Sequence, residues 1–111
     1  INPKNPVINT RSFGESPFNV ANKVVAYSKG LEDGGVLSVS KHFPGHGDTD
    51  VDSHKALPVL PFTRARLDSI ELYPLRKAIR AGLGGMMVGQ LEVPTIIIHH
   101  IFIRLIPELT C

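Results

Sequence analysis

Two short apolar runs, Val36-Leu37-Ser38-Val39-Ser40 and Met86-Met87-Val88, flank a long amphipathic stretch from Arg64 to Ala81. Both runs follow glycine pairs and are apolar rather than strictly alternating, as expected of strands buried on both faces. Strands of this kind joined through helix pair in parallel, and a parallel sheet offers ligand groups at the carboxyl ends of its strands. A further helix is predicted upstream, where Ser16 is the N-cap and Pro17 the first helical residue. Val20, Val24 and Tyr27 then recur at helical spacing to about Ser28, and Gly30 supplies the stop. Within 64–81, Leu67, Ile70, Leu72, Leu75 and Ile79 make a broad apolar face, Thr63 caps the start, and Pro74 divides the stretch into two helical pieces. Leu57 to Pro61 is extended, because each proline turns its predecessor away from helix. The predicted order is helix, strand, loop, helix, strand, which is an α/β chain.

The first strand delivers Lys41 and His42 into a loop that runs to His54. That loop carries three of the five histidines (His42, His46, His54) and three aspartates (Asp48, Asp50, Asp52), beside Pro44, Gly45 and Gly47. Three chemistries suit such a cluster. Histidine and aspartate ligate metals, but the Asp48-Thr49-Asp50-Val51-Asp52 opening lacks the glycine and the closing glutamate of a calcium loop. Gly45 and Gly47 could offer backbone N–H groups to a phosphate, yet three aspartates would repel it. Proton transfer is the third: in Asp52-Ser53-His54 the carboxylate and imidazole lie two positions apart, so in an extended or turned loop they can share one side and hydrogen-bond. The aspartate would then fix the tautomer while the far ring nitrogen faces the substrate. A solvated polar loop is the plain alternative to all three. Gln90 and Glu92 leave the second strand toward the same face, where exposed loop polarity is the simpler reading.

Other classes are set aside on charge and composition. The net charge is +2 and the twelve Lys and Arg are scattered, which leaves no footprint for nucleic acid. The one cysteine, Cys111, excludes an internal disulfide framework and a thiolate cage. Thr95 to Pro107 is apolar but is interrupted by His99, His100 and Arg104 and falls short of the roughly 18 residues of a membrane span. It is instead the main aggregation hazard, and adjacent His99 and His100 point to opposite faces of a strand. The first six residues lack the basic and apolar regions of a secretion signal. At 111 residues the chain is shorter than the roughly 200 that a closed eight-stranded barrel needs.

The string Lys41-His42-Phe43-Pro44-Gly45-His46-Gly47-Asp48-Thr49, continued by Asp52-Ser53-His54 and Leu57-Pro58, resembles the signature of glycoside hydrolase family 3 in its β-N-acetylhexosaminidase branch. Upstream, Asn2-Pro3, Asn5-Pro6-Val7-Ile8 and Arg11-Ser12-Phe13-Gly14-Glu15 resemble the preceding loop of that family, and Ala81-Gly82 to Val88 its next strand. The resemblance covers residues 1–94 and implies a fragment of a (β/α)8 TIM-type barrel, part of the N-terminal catalytic domain, followed by a divergent apolar tail at 95–111. It implies hydrolysis of terminal β-linked N-acetylglucosamine with retention of configuration. His54 would be the general acid/base and Asp52 its dyad partner, while Arg11, Lys41 and His42 would bind sugar hydroxyls; no metal and no cofactor is implied.

The implied partner is an N-acetylglucosamine-containing glycoside such as a peptidoglycan-derived muropeptide, in a bacterial cytoplasm or periplasm. The family's nucleophile is an aspartate on a later strand, and nothing after Val93-Pro94 matches it; an earlier sugar-binding aspartate would precede Ile1. The 111 residues are therefore expected to lack turnover and to self-associate through uncovered sheet edges. The alternatives are a non-catalytic carbohydrate-binding remnant, a β-glucosidase-type member of the family, and a metal-binding module.

Overall fold

The computed structural model describes Asn5, residues 8–49 and residues 57–95; Asp50, Asp52, His54, His99 and His100 lie outside the described residues. A single 3₁₀ turn, Asn9–Arg11, precedes α1 (Pro17–Asp33), β1 (Val39–Phe43), α2 (Arg64–Ser69), α3 (Leu72–Arg80) and β2 (Gly85–Val88). This is the predicted order, with boundaries moved for identifiable reasons. Among the described residues, no helix is long and apolar enough to cross a membrane.

The start of α1 follows the sequence: Ser16 is extended, its Oγ accepts from the Asn19 N–H at 3.4 Å, and Pro17 opens the helix. Its end does not. The helix runs through Gly30 and stops at Gly34-Gly35, where Gly35 takes the left-handed φ of +81°. The Gly35 N–H donates to the Glu32 carbonyl and the Val36 N–H to the Leu31 carbonyl, both at 2.9 Å, which is the paired bonding of a Schellman end. Val36 is thereby tied to the helix, and β1 begins at Val39 rather than at Val36.

Two helical pieces follow as predicted, with Thr63 Oγ1 accepting from the Arg66 N–H at 3.3 Å. The break falls at Ile70-Glu71, four residues ahead of Pro74, because proline offers no N–H to the Ile70 carbonyl and its ring crowds that oxygen. Leu67, Leu72 and Leu75 from these pieces join Phe43, Leu60 and Val93 in the core, flanked by Phe62, Met86 and Leu91. On the other side α1 packs against α3, burying Val20, Ala21 and Ala78, with the Phe18 and Tyr73 rings edge to face at 5.0 Å.

β1 and β2 are parallel, with Val39 opposite Gly85 and Phe43 opposite Val88. Gly84 permits their approach, since a Cβ there would strike the Ser38 carbonyl, and the Gly85 N–H donates to that oxygen at 2.7 Å. Past β2 the chain pairs again, in parallel with the extended 57–61 segment: the Leu60 N–H donates to the Glu92 carbonyl at 2.8 Å, and the Glu92 N–H to the Pro58 carbonyl at 2.9 Å. The expectation of strands buried on both faces is corrected. Val39, Met87 and Val88 are each about half exposed, because side chains leave a sheet through its faces and, among the described residues, the core reaches only Phe43 and Met86 of these two strands. Two parallel strands establish the α/β class; they are common to barrels and open sheets alike.

Candidate active site

The residues that leave β1 form one wall of a cavity of about 490 Å³. Arg11 reaches it from the 3₁₀ turn, Lys41 and His42 from β1 itself, and His46 and Asp48 from the turn that follows. Three of the five predicted site residues, Arg11, Lys41 and His42, therefore meet around one space. Lys41 and His42 stand inside β1 rather than just past its end, because the strand continues paired with β2 to Phe43. The other two, Asp52 and His54, lie outside the described residues. Gln90 and Glu92 do not border this cavity; Glu92 is exposed and serves through its backbone.

His42 is half-buried, and its Nδ1 is buried without a hydrogen-bond partner among the described residues. Burial, and then the neighbouring His46, Lys41 and Arg11, push its pKa below the about 6.5 of a free imidazole. It is therefore neutral at pH 7, with one nitrogen to donate and one to accept. A ligand hydroxyl meeting the orphaned nitrogen would offset a desolvation cost of about 1–3 kcal/mol. The peptide bonds Lys41–His42 and Phe43–Pro44 are both cis.

The turn His46 to Thr49 is fastened from two sides. Asn5 is fully buried, and its Nδ2 donates to the His46 carbonyl at 3.0 Å and the Thr49 carbonyl at 2.8 Å, while its Oδ1 accepts from the Ile8 N–H at 2.8 Å. Inside the turn, Thr49 Oγ1 lies 2.6 Å from His46 Nδ1, and the His46 ring meets the His42 ring edge-on at 5.6 Å. On the opposite side Asp48 Oδ2 accepts from Arg66 Nη2 at 3.1 Å, and Arg66 Nη1 is 3.2 Å from Glu71 Oε1. The Arg66 guanidinium also lies over the Phe62 ring, 4.5 Å from its centroid.

Glu71 is the buried end of this chain of charges, its side chain 4% exposed. Burial pushes its carboxyl up, against the pull of Arg66. Gly45, at φ +147°, lies flat against it: a Cβ there would stand 2.7 Å from the Glu71 Cβ. His46 and Asp48 were candidate metal ligands from sequence. They are engaged instead with Thr49 and Arg66, and among the described residues no group of three His, Cys, Asp or Glu could hold a metal ion. Asn5, Arg66 and Glu71 have no role predicted from sequence.

Residues 1–97 match the N-terminal domain of glycosyl hydrolase family 3. The chain is 46% identical over 96 residues to beta-hexosaminidase A of Pseudoalteromonas piscicida, an overlap that covers 86% of this chain and 16% of that protein. A family 3 beta-N-acetylglucosaminidase from Paenibacillus superposes on it with a TM-score of 0.83 at 46% identity, over 86% of this chain and 18% of the other. NagZ from Neisseria gonorrhoeae, solved in complex with N-trifluoroacetyl-D-glucosamine, superposes with a TM-score of 0.76 at 38% identity, over 82% of this chain and 26% of the other. The chain thus spans about a quarter or less of the length of these proteins.

Proposed function

The chain belongs to glycosyl hydrolase family 3, and from that premise we propose that it carries the sugar-binding and proton-transfer half of a retaining β-N-acetylhexosaminidase. The observation that carries the reading is the meeting of Arg11, Lys41 and a neutral His42 around one cavity beside the parallel strands. Two cations and an uncharged imidazole supply donors for sugar hydroxyls and the acetamido carbonyl. Residues 1–94 are read as part of the family's barrel domain and 95–111 as a tail outside its pattern; the end of the family match at residue 97 supports that division.

In the chemistry proposed, His54 gives its proton to the glycosidic oxygen as the bond to the anomeric carbon breaks, and a carboxylate from elsewhere in the enzyme takes that carbon as an ester. His54, now neutral, removes a proton from water, whose oxygen displaces the carboxylate and restores the configuration. Asp52 holds the imidazole in one tautomer and stabilises its charged form. The substrate is a glycoside with a terminal β-linked N-acetylglucosamine. The half-exposed Val39, Met87 and Val88 support self-association of the isolated chain.

The test uses a chimera in which residues 1–95 replace the matching segment of the Paenibacillus enzyme, assayed with 4-nitrophenyl N-acetyl-β-glucosaminide. The chimera should release 4-nitrophenol and the isolated 111-residue chain should not. Release by the isolated chain at rates like those of its relatives would refute the divided-mechanism reading, and a chimera that prefers the glucoside would refute the N-acetylglucosamine assignment.

A further inference from the structure

Arg66 joins two carboxylates that the proposed chemistry leaves unused. One, on Asp48, is a quarter exposed at the cavity wall; the other, on Glu71, is buried beneath Gly45. A fully solvated ion pair contributes little and tolerates many geometries. This one is different in three respects. Phe62 covers the guanidinium, Glu71 fixes one of its terminal nitrogens from the protein interior, and the second nitrogen is thereby aimed at Asp48. A planar guanidinium held at one end has few ways to move the other.

The turn so gripped carries His46, whose ring packs edge-on against His42, and its other side is held by Asn5. The Asn5 bonds fall on the carbonyls of His46 and Thr49; they fix the backbone of the turn at its ends. The Arg66–Asp48 bond pulls on a side chain between them, and so sets the turn's tilt about those ends. We propose that Arg66, anchored by Glu71, is a positioning residue: through Asp48 it holds the His46–Thr49 turn so that the His46 ring backs His42 in the sugar pocket. Its consequence for substrate rests on the glycosidase reading above; the positioning itself does not.

Two measurements separate those layers. In the full 111-residue chain, hydrogen exchange read by NMR should show Arg66→Ala speeding exchange of the Gly47–Thr49 amides about tenfold or more, while amides within α1 keep their wild-type protection. Ring-to-ring contacts between His42 and His46 should weaken in the same variant, and Arg66→Lys, which reaches one carboxylate at a time, should restore them in part. Unchanged exchange in the turn, or equal acceleration throughout the chain, overturns the positioning role. In the Paenibacillus chimera, Arg66→Ala and Asp48→Ala should each raise KM for the N-acetylglucosaminide about tenfold with kcat changed far less, and together no more than either alone. A merely structural role would lower the amount of active enzyme and leave KM alone, which overturns the proposal. A chimera without turnover, beside a loosened turn in the chain itself, would count against the glycosidase reading and leave the positioning standing.

Discussion

The two loops that leave the parallel strands start from equivalent places and are built in opposite ways. After β1, the segment to Thr49 is held by side chains: Asn5 on the carbonyls of His46 and Thr49, Arg66 on Asp48, and Thr49 on His46. After β2, the segment to Thr95 is held chiefly by main chain, through the Leu60 and Glu92 amides, with one side-chain bond from Thr95 Oγ1 to the Phe62 carbonyl, and it sends Val93 into the core. Main-chain pairing ties up N–H and C=O groups and leaves little chemistry on view. Side-chain fastening holds the turn with groups of its own and leaves Lys41 and His42 on the cavity wall. The strand ends of a parallel sheet are thus equal by topology and unequal by chemistry, and the polar loop is the one to perturb.

The largest predicted effect tests that inequality directly. In the chimera, His54→Ala should lower kcat about 10²–10⁴-fold, most severely for alkyl leaving groups that cannot depart without a proton. Glu92→Gln, in the other loop, should stay within about twofold of the parent. Comparable losses from both changes, measured with 4-nitrophenyl and alkyl glycosides, would erase the distinction.

Stability should divide the other way. Leu60 is fully buried and its amide bonds the second loop, so Leu60→Ala should cost about 2–5 kcal/mol by urea unfolding. Asn5→Ala removes polar bonds and leaves two carbonyls of the first loop to find water, at about 1–3 kcal/mol. A larger loss from Asn5 than from Leu60 would mean that the polar turn, not the apolar core, organises the chain.

What the sequence discloses follows the same division. The helix starts at Ser16-Pro17 and Thr63, and the break that Pro74 imposes, are local matters of capping and missing donors, and they are legible. So is the parallel order of the strands, because it follows from apolar runs joined by a helix. The end of α1 is less so: Gly30 and Gly34-Gly35 both offer a stop, and the choice depends on the Leu31 and Glu32 carbonyls finding partners beyond them. Lys41 and His42 are legible as groups at the end of an apolar strand, whereas Arg11 enters through a family resemblance, and only the fold brings it to the strand. Asn5 stands in a string that resembles the family but shows no role there, and Arg66 and Glu71 carry no local mark at all. Asn5 bonds a turn 41 to 44 residues away and Arg66 bonds Asp48 across 18 residues, and an asparagine beside a proline or an arginine in a helix reads as ordinary surface until the fold closes on it.

The smallest effect concerns the proton on His42. Burial, helped by the nearby His46, Lys41 and Arg11, lowers its pKa in the folded chain, so the unfolded chain binds the proton at higher pH than the folded one does. Its contribution to stability is therefore complete above the unfolded value of about 6.5 and is lost as pH falls through the folded value. Glu71 acts in the opposite sense: burial raises its folded pKa, so its contribution is complete below the unfolded carboxyl value of about 4.3 and is lost as pH rises through the folded value. His42→Gln should flatten the stability profile just below pH 6.5, and Glu71→Gln should flatten it above pH 4.3. An NMR titration placing the His42 midpoint at or above 6.5 would mean that its orphaned nitrogen is solvated. The polar loop would then be no more desolvated than its neighbour, and the case for a sugar-facing His42 would lose its electrostatic support.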